Sequence, residues 1–260
     1  GRWILCWPRA TPPGVRWWTI ALGPAPELGD SAAMTQVQTA TPGVLVEIFS
    51  DPICPWCLIG WRRLQRARQL LGDLPVTVRW LPFELNPDMP AEGMGRREYL
   101  EAKFGGPSGA ERVYGRIKAE GASDGIAFNF EGISRTPNTF EAHRLLWYAQ
   151  RHGRGDVVAE VLFQRYFLEG GDIGAREALV DIAAQAGLVA AEVQVWLASA
   201  EGVDEVRALE REAWHHGVGG VPFFIVDRRF ALSGAQPPEL LAEALQRAGD
   251  TSKAAASPTS

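Results

Sequence analysis

The sequence predicts an α/β protein in which a core of order β-α-β and then β-β-α is interrupted by a large all-helical insertion. Short apolar, β-branched runs bounded by turn-forming residues predict the strands, and they fall at residues 44–50, 76–83, 221–226 and 230–234. The stretch between the second and third runs carries apolar side chains mainly at helical spacing. Strands therefore flank a long helical segment on both sides.

The first half of the predicted core passes from strand to helix to strand. Residues 58–71 have apolar side chains at 58, 61, 64, 67 and 71, a spacing typical of a helix. The turn-forming residues 72–75 end this helix before the second strand. A strand-helix-strand order implies a right-handed unit in which the two strands are parallel.

The second half of the predicted core is a hairpin followed by a helix. Asp227-Arg228-Arg229 is the turn between the third and fourth strands. Pro237 and Pro238 suit the first turn of the helix, where a missing N–H costs nothing. The two halves together predict a thioredoxin-like domain that is split by the helical segment.

The predicted fold divides the chain into a split domain, an insertion and two terminal segments. Residues 1–43 show no helical or strand period, so we expect a disordered N-terminal extension, with Met34 as the native start. Residues 249–260 are small and polar, which predicts a disordered tail. The thioredoxin-like domain would comprise residues 44–87 and 218–248, and the helical insertion domain residues 88–217.

Composition and charge exclude several classes of function. A formal net charge of −5 gives no electrostatic basis for binding nucleic acid. No apolar run approaches the ~18 residues that cross a bilayer, and no segment has the layout of a signal peptide. We therefore predict a cytoplasmic protein without a membrane partner. A basic cluster within residues 62–68 is interpreted as a solvated helix face, and its members are Arg62, Arg63, Arg66 and Arg68.

The segment Cys54-Pro55-Trp56-Cys57 lies where the first strand turns into the helix. The first thiol therefore falls at a helix N-terminus, and the second follows one turn later. Unpaired backbone N–H groups and the helix dipole at such a position favour a thiolate over a thiol. In this setting a cysteine pKa can fall from about 8.5 to between about 3.5 and 7.5. The pattern predicts a redox-active dithiol.

Other interpretations of the cysteine pair fit the sequence less well. A zinc site needs a second pair of ligands, but the remaining cysteine is Cys6, and His215 and His216 are adjacent. A structural disulfide would close too short a loop to restrict the unfolded chain much. Two incidental buried cysteines would not explain the strand, the Pro-Trp pair and the helix around them. We predict no metal.

Within the insertion, Asn138-Thr139-Phe140-Glu141 resembles a capping box, with Asn138 as the N-cap and Glu141 at the third position. The helix that it opens would carry His143 on its surface. Both residues become candidates for the site only through the family resemblance described next.

Most of the chain after Met34 resembles the DsbA-like branch of the thioredoxin superfamily, and within it the FrnE-like dithiol oxidoreductases. Three segments in the right order carry the resemblance, and they are residues 49–57 (FSDPICPWC), 137–144 (PNTFEAHR) and 217–224 (GVGGVPFF). The resemblance implies that Val221–Pro222 is a cis peptide facing the dithiol. It also places the start of the helix at Asn138 beside the active site.

These considerations assign roles to the candidate residues. We expect Cys54 to be the nucleophile and Cys57 the resolving thiol that releases a mixed disulfide. The candidate substrate-binding residues are Pro55, Trp56, Val221, Pro222, Asn138 and His143. The expected substrates are thiols or disulfides of proteins or of glutathione, and glutathione is also the expected redox partner. We expect no bound cofactor. The protein would be a monomer or a homodimer.

Two further functions stay open at this stage. The kappa-class glutathione transferases and the 2-hydroxychromene-2-carboxylate isomerases have similar folds, and use a serine or a single thiol together with glutathione. A non-enzymatic binding protein with a thioredoxin fold is the other alternative. The second cysteine favours a dithiol oxidoreductase or isomerase. Because a cytoplasmic dithiol is mostly reduced, disulfide reduction or isomerisation is favoured over net oxidation.

Overall fold

The computed structural model describes residues 18, 19 and 43–256, and its main feature is a mixed sheet. The strands are β1 (Trp18–Thr19), β2 (Val44–Ser50), β3 (Val76–Pro82), β4 (Met94–Gly95), β5 (Arg135–Thr136), β6 (Phe223–Val226) and β7 (Phe230–Ser233). Five of them form one sheet in the order β1-β7-β6-β2-β3, and β4 pairs with β5 separately. No helix in residues 43–256 is long and apolar enough to span a bilayer.

Nine α-helices are described in residues 43–256. They are α1 (Pro55–Leu70), α2 (Arg96–Phe104), α3 (Pro107–Ser123), α4 (Phe140–Arg151), α5 (Gly155–Phe163), α6 (Arg176–Gln185), α7 (Ala190–Ala198), α8 (Val203–His215) and α9 (Pro238–Ala256). A 3-10 turn at Phe130–Gly132 and a π-helical turn at Gln164–Leu168 complete the insertion. Helices α2 to α8 all lie between β3 and β6, as the sequence predicts.

The predicted core is confirmed in its order and its strand directions. β2 and β3 are parallel, with Val44 opposite Val76 and Ser50 opposite Pro82, and α1 connects them. β6 runs antiparallel to β2 and is joined to β7 in a hairpin. The sheet therefore has the strand order and helix connections of a thioredoxin-like fold.

The insertion is helical with one exception. Met94 pairs with Thr136 and Gly95 with Arg135 in a short antiparallel ladder. Two residues on each side are too few to produce an alternating pattern in the sequence. The division of the chain into separate domains stays a prediction.

The structure contradicts both predicted terminal segments in part. Trp18 and Thr19 pair with Ala231 and Phe230 at the edge of the sheet. The rest of the predicted extension, including Met34, lies outside the described residues. At the other end, α9 continues to Ala256, so a disordered tail from residue 249 is wrong for residues 249–256.

Packing explains why α9 continues past the predicted boundary. Ala248 is fully buried. Gly249 lies so close to the first turn of the core that an added Cβ would stand 3.0 Å from Leu74 Cδ1. Thr251 also donates a hydrogen bond to the Arg247 carbonyl. Burial of Ala248 and the close approach of Gly249 to Leu74 thus hold the start of a segment whose composition alone predicts disorder.

The sequence predicts that the basic cluster on α1 is a solvated face, and this holds only in part, since Arg66 is exposed while Arg62, Arg63 and Arg68 are half-buried. Each of its four arginines forms an ion pair with a carboxylate of the insertion, and the pairs are Arg62–Glu160, Arg63–Asp124, Arg66–Asp124 and Arg68–Asp156. The carboxylate of Asp124 is almost completely buried. These pairs fix the insertion against the helix that carries the dithiol.

The insertion also covers the edge of the sheet at β3. The side-chain amide of Gln150 accepts a hydrogen bond from the Trp80 N–H at 2.7 Å and donates one to the Trp80 carbonyl at 3.0 Å. Trp80 in turn packs edge-on against Trp61 of α1, with the ring centroids 5.0 Å apart. An edge strand with unpaired backbone groups would invite pairing with another chain, and α4 satisfies those groups at this point.

Gly60 sets how closely α1 approaches β6. A Cβ at this position would lie 2.9 Å from Pro222 Cγ and 3.1 Å from Phe224 Cζ. One atom belongs to the proline ring just before β6, and the other to the fully buried side chain of Phe224. The absence of a side chain at residue 60 therefore lets the dithiol helix rest directly on the loop before β6.

We predict that Gly60→Ala lowers the free energy of unfolding by about 1–3 kcal/mol, because overpacking displaces α1 or β6. Gly115→Ala is the matched control, since Gly115 lies in α3 with no atom within 4 Å of an added Cβ. Removing a helical glycine there should stabilise the protein by about 0.5–1 kcal/mol. Urea unfolding of both variants measures the difference, and stabilisation of both would contradict the close approach.

Candidate active site

The dithiol lies at the start of α1, as the sequence predicts. Cys54 occupies the N-cap position with an extended backbone, and Pro55 begins the first turn. The Cys54 carbonyl accepts hydrogen bonds from the N–H groups of Cys57 and Leu58. No acidic residue lies in this first turn, so nothing there opposes the attraction of the helix dipole for a thiolate.

The cis proline lies next to the dithiol in the structure, although the whole insertion separates the two in the sequence. The Val221–Pro222 peptide is cis, as the family resemblance implies. The Cys54 thiol donates a hydrogen bond to the Val221 carbonyl, with 3.5 Å between Sγ and the oxygen. The first sulfur and the backbone before Pro222 are thus in direct contact.

Both sulfurs are withdrawn from solvent. Cys54 is 0% and Cys57 2% exposed, and Val221 is 5% exposed. Trp56, between the cysteines, is half-buried. A partner sulfur therefore reaches Cys54 only when the residues that cover it move.

A buried carboxylate stands just before the dithiol, and sequence reasoning gave it no role. Asp51 is fully buried, and its two oxygens accept hydrogen bonds from the N–H groups of Ile53 at 3.1 Å and Leu85 at 2.7 Å. Thr139 adds a side-chain hydrogen bond from the start of α4. The signal in the sequence is an acidic residue directly after an apolar strand and three positions before Cys54.

Burial raises the pKa of Asp51 from 3.8 to about 7. The two backbone hydrogen bonds and the positive charge of Lys103 oppose this rise without cancelling it. The residue can therefore exchange a proton near neutral pH, next to the chain segment that carries Cys54.

Asn138 is placed near this region but not as the predicted N-cap. Thr139 occupies the N-cap position of α4. The Asn138 side chain accepts a hydrogen bond from the Phe140 N–H and donates one to the Met89 carbonyl. Glu141 does not complete a capping box, and it pairs instead with Arg144. An Asx turn one residue earlier than expected accounts for the difference.

His143 is buried, whereas the sequence suggested a helix surface. It is 3% exposed and borders a small gap shared with Leu81, Pro82 and Leu146. Burial, with a smaller effect of the Arg207 charge, lowers the pKa of His143 to about 3, so the ring is neutral at ordinary pH. The helical pattern could not show that this face of α4 packs on β3.

A cavity of about 350 Å³ opens beside the dithiol. Ile53, Pro55 and Trp56, which flank Cys54 in the chain, form one wall. Helices α2 and α3 supply most of the rest, including Arg96, Tyr99, Lys103, Arg112, Tyr114 and Arg116. Neither Asn138 nor His143 is among its lining residues. Sequence reasoning missed this cavity, because it forms only when α2 and α3 fold over residues 53–56.

Within residues 43–256, no group of three or more His, Cys, Asp or Glu side chains is arranged to hold a metal ion. The expectation that no metal takes part stays a prediction. The chemistry that the described residues offer is that of two thiols, a neighbouring acid and an apolar cavity with a cationic lining.

Fold and site together define a thioredoxin-fold protein with a pair of cysteines in a Cys-X-X-Cys motif at a helix N-terminus. The model of the DsbA-like thioredoxin domain matches residues 45–246, so the chain belongs to that family.

Relatives of known sequence or structure agree with this assignment. The uncharacterized protein YwbO of Bacillus subtilis strain 168 is 26% identical over 184 residues, which is 70% of this chain and 86% of that protein. The crystal structure of the probable DsbA oxidoreductase SCO1869 from Streptomyces coelicolor is 35% identical, with a TM-score of 0.71 over 84% of this chain and 93% of that one.

A more distant structure has the same fold. A 2-hydroxychromene-2-carboxylate isomerase superposes with a TM-score of 0.58 at 17% identity, over 82% of this chain and 100% of that one. This likeness shows the fold alone. The match of the family model to residues 45–246 confirms the family resemblance that the sequence suggested.

We predict that Asp51 makes the stability of the protein depend on pH. Because its folded-state pKa lies above the ordinary value of 3.8, its contribution to the free energy of unfolding is complete below about pH 4 and is lost as the pH rises to about 7. The loss is at most roughly 4 kcal/mol, since one pKa unit corresponds to about 1.4 kcal/mol.

Urea unfolding of the wild type and of Asp51→Asn between pH 5 and pH 8 tests this. At pH 5 the buried wild-type side chain is a neutral acid, whereas Asn turns an NH2 group toward one of the two backbone N–H groups. The variant should therefore be less stable by about 1–3 kcal/mol at pH 5. The gap should narrow as the pH rises, because only the wild type then buries a charge. Asp181→Asn, at an exposed position on α6, is the control. A gap that stays constant with pH would contradict the raised pKa.

Proposed function

We propose that the protein is a thiol–disulfide oxidoreductase or isomerase that acts through Cys54 and Cys57. The observation that carries the proposal is the contact between the Cys54 thiol, at a helix N-terminus, and the carbonyl before cis Pro222. The relative from Streptomyces coelicolor, named a probable DsbA oxidoreductase, supports the same chemistry.

In the proposed reaction, the Cys54 thiolate attacks one sulfur of a substrate disulfide. A mixed disulfide forms, and the other substrate sulfur leaves as a thiolate. Cys57 then attacks the Cys54 sulfur, which closes the Cys54–Cys57 disulfide and releases the second substrate thiol. Two electrons pass from the protein to the substrate, and the reverse sequence oxidises a substrate dithiol.

Surrounding groups would position the substrate and the protons. Trp56, Val221 and Pro222 stand next to the reacting sulfur, and the backbone at Val221 would pair with an extended substrate segment. Asp51 would take up or return a proton near the dithiol as its charge changes. Asn138 would contribute by fixing the backbone at the start of α4. His143 would contribute as an uncharged side chain within α4.

The redox partner would be glutathione or a protein thiol, and no cofactor would be bound. The reaction would take place in the cytoplasm. The small number of cysteines supports this compartment, since disulfide-stapled folds belong to oxidising ones. A reduced resting state there would favour disulfide reduction or isomerisation.

The test is Cys57→Ser in a Cys6→Ser background, compared with Cys54→Ser in the same background. After incubation with a disulfide substrate, Cys57→Ser should accumulate a mixed disulfide at Cys54, because no resolving thiol remains. Cys54→Ser should form none there and lose more than about 90% of disulfide-reductase activity. Mass spectrometry under non-reducing conditions identifies the adducts.

The alternatives give different outcomes in the same experiment. Unchanged turnover of a glutathione-dependent isomerisation in Cys57→Ser would indicate an enzyme that needs only one thiol. Absence of any adduct at Cys54 in Cys57→Ser would contradict the dithiol mechanism and leave a binding protein.

A further inference from the structure

The cavity beside the dithiol is positioned to hold the part of a substrate that extends beyond its reacting sulfur. Ile53 and Pro55 are the immediate neighbours of Cys54 in the chain, and both line the cavity together with Trp56. Cys54 itself is buried and does not line the cavity. The cavity would therefore hold the body of a substrate beside the segment that carries the thiol, while the sulfur reacts once Cys54 is uncovered. The volume of about 350 Å³ lies within the range of small-molecule sites, roughly 300–1,000 Å³.

Four cationic side chains line this cavity. They are Arg96 and Lys103 from α2, and Arg112 and Arg116 from α3. No carboxylate is among the described lining residues. None of the four forms an ion pair with an acidic side chain in the part of the chain that the structure describes. The arginines of α1, by contrast, are all paired.

The innermost cations are held in place by neutral groups rather than by carboxylates. Arg96 donates to Tyr114 Oη at 2.7 Å and to Thr136 Oγ1 at 3.1 Å, and its guanidinium stands over the ring of Tyr114 at 5.1 Å. The Nε of Arg96 is buried without a partner among the described residues. Burial raises the pKa of Tyr114 to about 12, so its hydroxyl stays protonated. Positive charge is thus fixed in position but not neutralised.

The other walls are mainly apolar. They are lined by Leu85, Phe104, Val113 and Ile117, together with the hydroxyl-bearing Thr136 and Tyr166. Tyr114 packs against Phe104 with the ring centroids 5.7 Å apart. Such walls gain from contact with a ring or a branched carbon chain. The combination of mainly apolar walls and cations with no carboxylate in the lining fits an organic anion with an apolar body.

We infer that the cavity selects low-molecular-weight disulfides whose organic group bears a carboxylate on an apolar, ring-sized body. The inference rests on the proposed function and names its substrate class. The Cys54 thiolate attacks the substrate sulfur nearest the cavity, and the other half leaves as a carboxylate-bearing thiolate. Cys57 then releases the half held in the cavity, so that the protein loses two electrons and the substrate gains them.

The experiment compares two aromatic disulfides with the fully reduced protein in a Cys6→Ser background. One is 5,5′-dithiobis(2-nitrobenzoate), which carries a carboxylate on each ring, and the other is uncharged 4,4′-dithiodipyridine. Stopped-flow absorbance gives a second-order rate constant for each, and their ratio cancels changes in the intrinsic reactivity of Cys54.

Arg112→Gln/Arg116→Gln should lower the ratio of the anionic to the neutral rate constant about three- to tenfold, since two attractive charges are removed. Lys103→Gln should lower it in the same direction. The control is Arg97→Gln/Arg211→Gln, which removes two exposed charges outside the cavity, and it should change the ratio less than about twofold.

A competition experiment on the wild type tests the same cavity. Added 2-nitrobenzoate should slow the reaction with 4,4′-dithiodipyridine, and the uncharged nitrobenzene should slow it less.

An unchanged ratio in the cavity variants, or an equal fall in the control, would overturn the inference. The dithiol mechanism would stand in that case, provided that 4,4′-dithiodipyridine still oxidises Cys54 and Cys57 to their disulfide. Failure of both compounds to oxidise the pair would overturn the proposed function and the inference with it.

Discussion

The carboxylate of Asp51 joins three parts of the chain at the point where the dithiol begins. It binds the N–H of Ile53 before Cys54, the N–H of Leu85 after β3, and the side chain of Thr139 at the start of α4. Each of these contacts satisfies a polar group that would otherwise be buried at a cost of about 1–3 kcal/mol. The core, the loop that carries Cys54 and the insertion thus share one anchor. Its position also puts an acid that titrates near neutral pH beside the reactive segment.

The position of α1 depends on a second constraint, the lack of a side chain at Gly60. This allows the helix to lie on Pro222 and Phe224, and it brings Cys54 within hydrogen-bonding distance of the Val221 carbonyl. On the opposite side, the arginines of α1 pair with carboxylates of the insertion. The dithiol helix is therefore held between the sheet and the insertion, and the cavity at its N-terminus lies between Trp56 and helices α2 and α3.

Features encoded locally could be predicted from the sequence, and features that depend on distant partners could not. Periodicity predicted the core strands, α1 and the mainly helical character of the insertion, and the dithiol was visible because its two cysteines fall within four consecutive residues. The cis Val221–Pro222 peptide was predicted from the family resemblance and not from the residues themselves. The partner of Arg62, however, is 98 residues away at Glu160, so its solvent exposure was misjudged. Burial of His143 and Asp51 depends on how α4 packs, and the helical end of α9 depends on contacts with Leu74.

The most direct test of the central claim is the reduction potential of the Cys54–Cys57 pair. It can be measured in a Cys6→Ser background by equilibration with glutathione buffers, followed by thiol trapping. The account predicts one reversible two-electron couple with a potential between roughly −120 and −270 mV, the span of thioredoxin-fold enzymes. If no disulfide forms between the two cysteines, or if only one of them becomes glutathionylated, the dithiol account is contradicted.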